Sequence, residues 1–335
     1  MTFRTRSALG ILAAGGVLLL TACGTGSNPA AQDGKLLVAT TVAPITSIAG
    51  TVGGDKVAVE GIVPEGTNSH TFEPAPQVAE LLSTADIIFV NGLGLEDPTQ
   101  ELAQANMKDG AQLVNIGDAV LPKDQWIFDF SFPVEGGKPN PHLWTDPPYA
   151  AKYAQVIADT YAQRDPANAA YYQANAAAFV KQTKQLSAAL RADQKTVPDG
   201  NLRLLTYHDA YAYFARTFGW QVIGAVQPKN FEDPTPQEVA SLIDQVKAEH
   251  VPTIFGSEVF PSSVLEEIGR ATGARYEDTL RDDDLPGSPG DAEHSWLGLM
   301  RYDYITMVEG LGGTADHLRN VKVENVAPDQ ATYPQ

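Results

Sequence analysis

The chain has 335 residues, 41 Asp and Glu against 23 Lys and Arg, and a single Cys. A net charge of −18 excludes a general nucleic-acid binder, which needs a clustered basic surface. One Cys excludes an intramolecular disulfide or a two-cysteine metal motif, so metal chemistry has to rest on His and carboxylates.

Arg4 and Arg6 precede an uncharged run from Ala8 to Leu20 that ends at Thr21-Ala22-Cys23. This run falls short of the ~20 apolar residues that cross a bilayer, and it reads as a secretory segment. Gly24-Thr25-Gly26-Ser27-Asn28-Pro29 cannot continue a helix, which argues against Cys23 as an ordinary buried thiol. The segment resembles a bacterial lipoprotein signal, with residues 1–22 removed, Cys23 acylated and residues 23–34 acting as a tether. Removal takes away Arg4 and Arg6 and no acid, so the mature charge becomes −20. The expected location is the extracytoplasmic face of the cytoplasmic membrane, held there by the lipid alone.

From Leu36 the chain alternates strand-like and helix-like segments. Strands are expected at 36–41, 57–63, 87–91 and 113–115, with helices at 45–52 and 76–84. A loop from Pro122 to Pro141 leads to His142, and Asp146 is placed to cap a helix over 150–162. Residues 166–195 form an Ala-rich run without internal Pro or Gly, long enough for ~45 Å of helix. It lacks a sustained Leu/Ile heptad, so a rigid connecting strut is preferred to a coiled-coil dimer, and a monomer is expected. The alternation then restarts, with strands at 202–206, 221–225, 253–256 and 275–278 and helices at 210–218, 236–249, 261–272 and 295–311. Strands alternating with helices imply mainly parallel sheets flanked by helices. The expected architecture is α/β in two lobes, 35–165 and 197–313, joined by a long helix over 166–196 and followed by a polar tail over 314–335.

No HExxH, GxSxG or GxxxxGK pattern occurs, and Gly92-Leu93-Gly94 lacks the third glycine of a dinucleotide turn. Six His remain. His70 and His208 follow predicted strands, and His142 stands where a loop enters a helix; α/β folds place ligands at such positions. They are 72 and 66 residues apart, too far for a local metal motif. His250 ends an amphipathic helix, where it meets the C-terminal end of the helix dipole. His294, beside Glu293, and His317, in the tail, are read as surface residues.

The stretches Asn68-Ser69-His70-Thr71-Phe72-Glu73-Pro74, Ala85-Asp86-Ile87-Ile88-Phe89-Val90-Asn91-Gly92, Asn140-Pro141-His142-Leu143-Trp144-Thr145-Asp146-Pro147 and Tyr207-His208-Asp209-Ala210-Tyr211-Ala212-Tyr213-Phe214 resemble the zinc/manganese solute-binding lipoproteins of bacterial ABC importers. The resemblance spans Leu36 to Leu311. It implies a binding protein rather than an enzyme, with a membrane permease as partner and a divalent cation as cargo. It also implies metal ligation by His70, His142, His208 and an acid of the segment Tyr276 to Leu280, for which Asp278 is chosen. The run Arg281-Asp282-Asp283-Asp284 offers rival carboxylates, read here as a solvated loop. Glu73, Asp146 and Asp209 are candidates to hold the imidazoles from behind, and Glu258 resembles a family acid near the cleft.

Three imidazoles and one carboxylate suit Zn²⁺. Manganese members of the family tend to offer two carboxylates, so His208 points to zinc, with Mn²⁺ or Fe²⁺ as the alternative. A zinc hydrolase or hydratase, with three His and an open fourth position, is the reading from another class. Proton competition for the imidazoles predicts that affinity falls as pH drops through ~6.5. The long helix is expected to resist hinge closure, leaving release to loop movement or small lobe shifts at the permease.

Overall fold

The computed structural model describes residues 34–227, 231, 234–259 and 263–334. The signal segment, Cys23 and nearly all of the expected tether lie outside these residues. Among the described residues, no helix is long and apolar enough to cross a membrane.

The first lobe runs β1 (Leu36–Thr40), α1 (Ala43–Gly53), β2 (Val57–Gly61), α2 (Pro76–Thr84), β3 (Ile87–Val90), α3 (Asp97–Asn106), β4 (Gln112–Asn115) and α4 (Ile116–Val120). Its strands form one parallel sheet in the order β2-β1-β3-β4. Helix α5 (Pro147–Arg164) and the long α6 (Ala169–Asp193) follow. The second lobe runs β5 (Arg203–Thr206), α7 (Ala212–Phe218), β6 (Gln221–Ala225), α8 (Pro236–Glu249), β7 (Thr253–Ser257), α9 (Ser263–Thr272) and β8 (Arg275–Leu280), again one parallel sheet, ordered β6-β5-β7-β8. Helices α10 (Trp296–Gly310) and α11 (Asp316–Arg319) close the chain. The two sheets share one topology, so each lobe has its order reversal beside β1 or β5. Ligand sites form at the carboxyl ends of strands there.

The central strand β3 is buried throughout and reads Ile-Ile-Phe-Val, the apolar run of a strand covered on both faces. Helices α3, α4 and α11 escaped the sequence reading. Asp97-Pro98 opens α3 with an acidic residue and a proline in its first turn, which was the available signal. The other two span only five and four residues, too short for a helical period to show.

The long connection differs from a bare strut. Turns of 3₁₀ helix at Pro166–Asn168 and Gln194–Thr196 flank a 25-residue α-helix. Tyr172, Ala176, Phe179, Leu186 and Leu190 of α6 are buried in a core that continues through Trp144 and Tyr153 to Phe214, Trp296 and Tyr304. This apolar cluster therefore belongs to both lobes. Buried hydrogen bonds reinforce it: Trp296 Nε1 donates to Trp144 O (2.8 Å), and the Tyr304 hydroxyl donates to Thr145 O (2.7 Å). Indole and phenol groups that bury their rings need such partners for their polar ends.

The tail also differs from expectation. Thr332 N donates to Val59 O (2.8 Å) and Gly61 N donates to Thr332 O (2.9 Å), so the terminal segment adds to the outer edge of β2. His294, expected at the surface, is 1% exposed. The Tyr333 ring packs on it edge-on at 4.6 Å, and its Nε2 lies 3.9 Å from Glu65 Oε1. The returning tail buries it, and a tail's return path has no local sequence signature. His317 keeps an exposed ring, yet its Nδ1 pairs with the buried Asp193 carboxylate at 2.6 Å. His250 stops α8 in the left-handed conformation, with φ of 51°.

Candidate metal centre

Three imidazoles converge between the lobes. His70 lies on the loop after β2, His142 just ahead of α5, and His208 directly after β5. Their Nε2 atoms form a triangle with sides of 3.1, 3.2 and 2.9 Å. His142 and His208 are buried and His70 is partly so. A tetrahedral Zn²⁺ with ~2.0–2.1 Å bonds would hold such nitrogens roughly 3.3–3.4 Å apart, so small outward shifts admit the ion. Among the described residues, this is the one group of three or more potential metal-ligating side chains close enough to share an ion.

The imidazoles are set for ligation through Nε2. His142 Nδ1 lies 2.9 Å from Asn140 Oδ1, and His208 Nδ1 lies 2.6 Å from Gln227 Oε1. An amide oxygen can only accept, so it requires Nδ1–H and leaves the Nε2 lone pair facing the centre. Each amide is oriented in turn. Asn140 Nδ2 donates to Asp129 Oδ2 and to Asp209 O, and Gln227 Nε2 donates to Phe231 O. Asn140 and Gln227 were missed in the sequence. Asn140 could have been found, since a residue two positions before a ligand can reach back to it; Gln227 follows β6 and only the fold brings it to His208.

Burial holds the titration of all three imidazoles below the ordinary histidine range. Neighbouring imidazoles deepen the effect at His70 and His142, whereas Asp283 and Gln227 oppose it at His208. Neutral rings with converging lone pairs repel one another, and a divalent cation relieves that repulsion.

The carboxylates arrange themselves differently from the sequence reading. Asp278 lies on β8, and its side chain is outside the described residues. The run expected as a solvated loop is buried instead: Asp282, Asp283 and Asp284 are 6%, 7% and 8% exposed. Asp282 Oδ2 stands 3.5 Å from His208 Nε2. One oxygen of Asp283 is buried without a hydrogen-bond partner. Burial, followed by weaker effects that include repulsion from Asp284, pushes Asp282 up to about 7. Burial and then repulsion from Asp282 push Asp283 up to about 8. Such groups gain from an adjacent cation, which replaces a proton.

The remaining sequence candidates separate clearly. Glu258 Oε1 accepts from the backbone N–H groups of Asp282 (3.1 Å), Asp283 (3.3 Å) and Asp284 (3.3 Å), and so shapes the acidic loop. Asp209 Oδ2 accepts from Ser131 N and sits against Asp129; burial and the Asp129 charge hold its carboxyl well above the usual range. Asp146 occupies the residue before α5, but its side chain makes no capping bond. Its Oδ2 accepts from Thr217 Oγ1 of α7 at 2.7 Å, and burial pushes it up to about 7. Glu73 is exposed on the loop after His70.

The lobes meet closely around the centre. Trp144 Nε1 donates to Asp282 O (2.7 Å), Gly66 N to Asp284 Oδ2 (2.6 Å), and Leu285 N to Glu65 Oε1 (3.2 Å). The acidic loop is thereby fastened to the first lobe.

Residues 38–310 match the family model described as zinc-uptake complex component A, periplasmic. The chain is 27% identical over 297 residues to the manganese-binding lipoprotein MntA of Halalkalibacterium halodurans, covering 88% of this chain and 95% of that one. It is 28% identical over 311 residues to the iron-binding protein YfeA of Yersinia pestis, covering 92% and 97%. In three dimensions it resembles the periplasmic zinc-binding protein TroA of Treponema pallidum, with a TM-score of 0.74 at 22% identity over 83% of this chain and 99% of that one. The structural likeness shows a common fold. The three proteins are named for three different metals.

Proposed function

The chain belongs to the family of periplasmic A components of zinc-uptake complexes, and on that premise we propose that it captures Zn²⁺ between its lobes and delivers it to an ABC permease. The family consists of binding proteins rather than enzymes, which leaves the hydrolase reading without support. Binding of a divalent metal rests on one observation above all: three Nε2 atoms within 3.2 Å of one another, two of them aimed by amide oxygens behind their rings.

Zinc is the finer reading. His70, His142 and His208 would supply three nitrogens, and the fourth ligand is a carboxylate of the acidic loop. Asp282 takes that place here, because its Oδ2 is already 3.5 Å from His208 Nε2; the earlier choice, Asp278, remains open to the same test. An N₃O set of four protein ligands matches Zn²⁺, whereas Mn²⁺ favours more oxygens and retained water. The mature chain carries a strongly negative field that concentrates cations near the cleft. Cys23 is the proposed lipid attachment that keeps the protein, as a monomer, beside its permease outside the cytoplasm. Units of 35–165 and 197–313 around the linking helix remain the proposed division. The shared core favours release through local movement of the loops rather than wide opening of the lobes.

The test is metal loading of refolded, metal-free protein from an equimolar mixture of Zn²⁺, Mn²⁺ and Fe²⁺, read by mass spectrometry. One zinc per chain is expected. His142→Ala should lower zinc affinity by orders of magnitude in competition with a chelator, and unchanged affinity would overturn the site.

A further inference from the structure

Two phenyl rings from opposite sides of the cleft close over the imidazoles, and neither belongs to the ligand set. The Phe231 ring stacks on His70 with centroids 4.2 Å apart and planes within 2°, and its centroid is 6.4 Å from that of His208. The Phe132 ring lies 5.5 Å from His70 and 5.7 Å from His142. The two phenyl rings are 5.6 Å apart. Between them they reach all three ligating rings.

Both are held in place by the chain. Phe132 is 7% exposed, and its N–H donates to Asp129 Oδ1 at 3.1 Å. Phe231 has φ of 58°, a left-handed backbone that is strained for a non-glycine residue. Its carbonyl offsets that strain by accepting from Gln227 Nε2 of the second lobe (3.1 Å) and Asn68 Nδ2 of the first (3.4 Å). Gln227 is also the acceptor for His208, so one amide sets both the phenyl ring and the ligand. A cavity of about 550 Å³ opens beside His70, and both phenyl rings line it. The rings therefore stand where solvent in that cavity would approach the imidazoles.

We propose that Phe132 and Phe231 determine metal specificity by denying the bound ion a water ligand. A four-coordinate Zn²⁺ completes its shell with protein groups alone. Mn²⁺ and Fe²⁺ complete theirs with further oxygen ligands, and a metal-bound water has to donate both protons to acceptors. Phenyl rings supply no such acceptor, so the hexacoordinate ions pay a desolvation cost that zinc avoids. This inference rests on the metal-binding reading above and extends it to two residues that touch no metal.

The experiment measures zinc and manganese dissociation constants by competition for wild type and for Phe231→Ala, Phe231→Gln, Phe231→Leu and Phe132→Ala, with pulsed EPR of the Mn²⁺ forms in deuterated water to count coordinated water. Phe231→Ala and Phe132→Ala should each lower the zinc-over-manganese preference by about tenfold and add at least one water to Mn²⁺. Phe231→Gln should lower it further, and Phe231→Leu, which keeps an apolar group, should retain most of it. The proposal is overturned if the preference stays within threefold of wild type in the Ala and Gln variants while the water count is unchanged. Absence of any divalent binding by wild type would instead remove the metal-binding reading itself.

Discussion

Gln227→Leu is the most discriminating change near the imidazoles, because it leaves every proposed ligand in place. The Gln227 amide cannot be turned round: Nε2 donates to Phe231 O at 3.1 Å, so Oε1 is the atom facing His208 Nδ1 at 2.6 Å. That contact requires His208 to carry its proton on Nδ1 and to present a lone pair at Nε2. Leucine removes the acceptor while keeping similar bulk. The buried Nδ1–H then loses its partner, at a cost of roughly 1–3 kcal/mol, and the other tautomer, with Nε2 protonated and unable to ligate, becomes competitive. Loss of such an outer partner typically lowers metal affinity by about 10–100-fold. Gln227→Glu keeps an acceptor for the same Nδ1–H and makes the imidazole more basic, although it gives up the donor to Phe231 O. Zinc affinities measured against a chromogenic chelator should therefore fall by about 10–100-fold for Leu and by clearly less for Glu. Equal losses in both variants, or no loss in Leu, would refute the argument that this amide sets the ligand's tautomer.

Three further expectations follow from the acidic loop. Asp282→Asn should weaken zinc binding at least tenfold, and Asp278→Asn should not; the reverse order would restore Asp278 as the fourth ligand. Zinc binding should release about one to two protons per ion near pH 6, because burial pushes the Asp282 carboxyl up to about 7 and the adjacent Asp283 carboxyl up to about 8, whereas the imidazoles are held below the ordinary His value of ~6.5. Carboxyls with raised pKa are protonated below those values, so affinity falls as pH drops through about 8 and then about 7; calorimetry in buffers of different ionisation enthalpy reads the proton count, and zero release at pH 6 would contradict it. Glu258→Ala removes the acceptor shared by three backbone N–H groups and should cost at least tenfold in affinity, while Glu258→Gln, which keeps one acceptor oxygen, should recover much of it. Equal affinity of the Ala variant and wild type would show that the loop holds its shape without that carboxylate.

The sequence by itself carried the α/β alternation, the two-lobe organisation and the three histidines, because each is written in local form. Apolar runs such as Ile87 to Val90 mark covered strands, helix α8 begins and ends where the periodicity of its residues does, and His70, His142 and His208 stand in motifs whose order along the chain carries the family resemblance. The acidic loop and the returning tail were misread for a common reason: Asp282, Asp283, Asp284 and His294 look solvated in one dimension, and burial depends on what a distant segment covers. Trp144, Glu65 and Gly66 fasten the loop from the first lobe, and Tyr333 covers His294 from the end of the chain. Asn140, Gln227, Phe132 and Phe231 belong with these, because a hydrogen bond or a stacked ring has no periodicity and no spacing rule. Only the folded chain brings them to the imidazoles, and there they set tautomer, water access and the charge that a cation must meet.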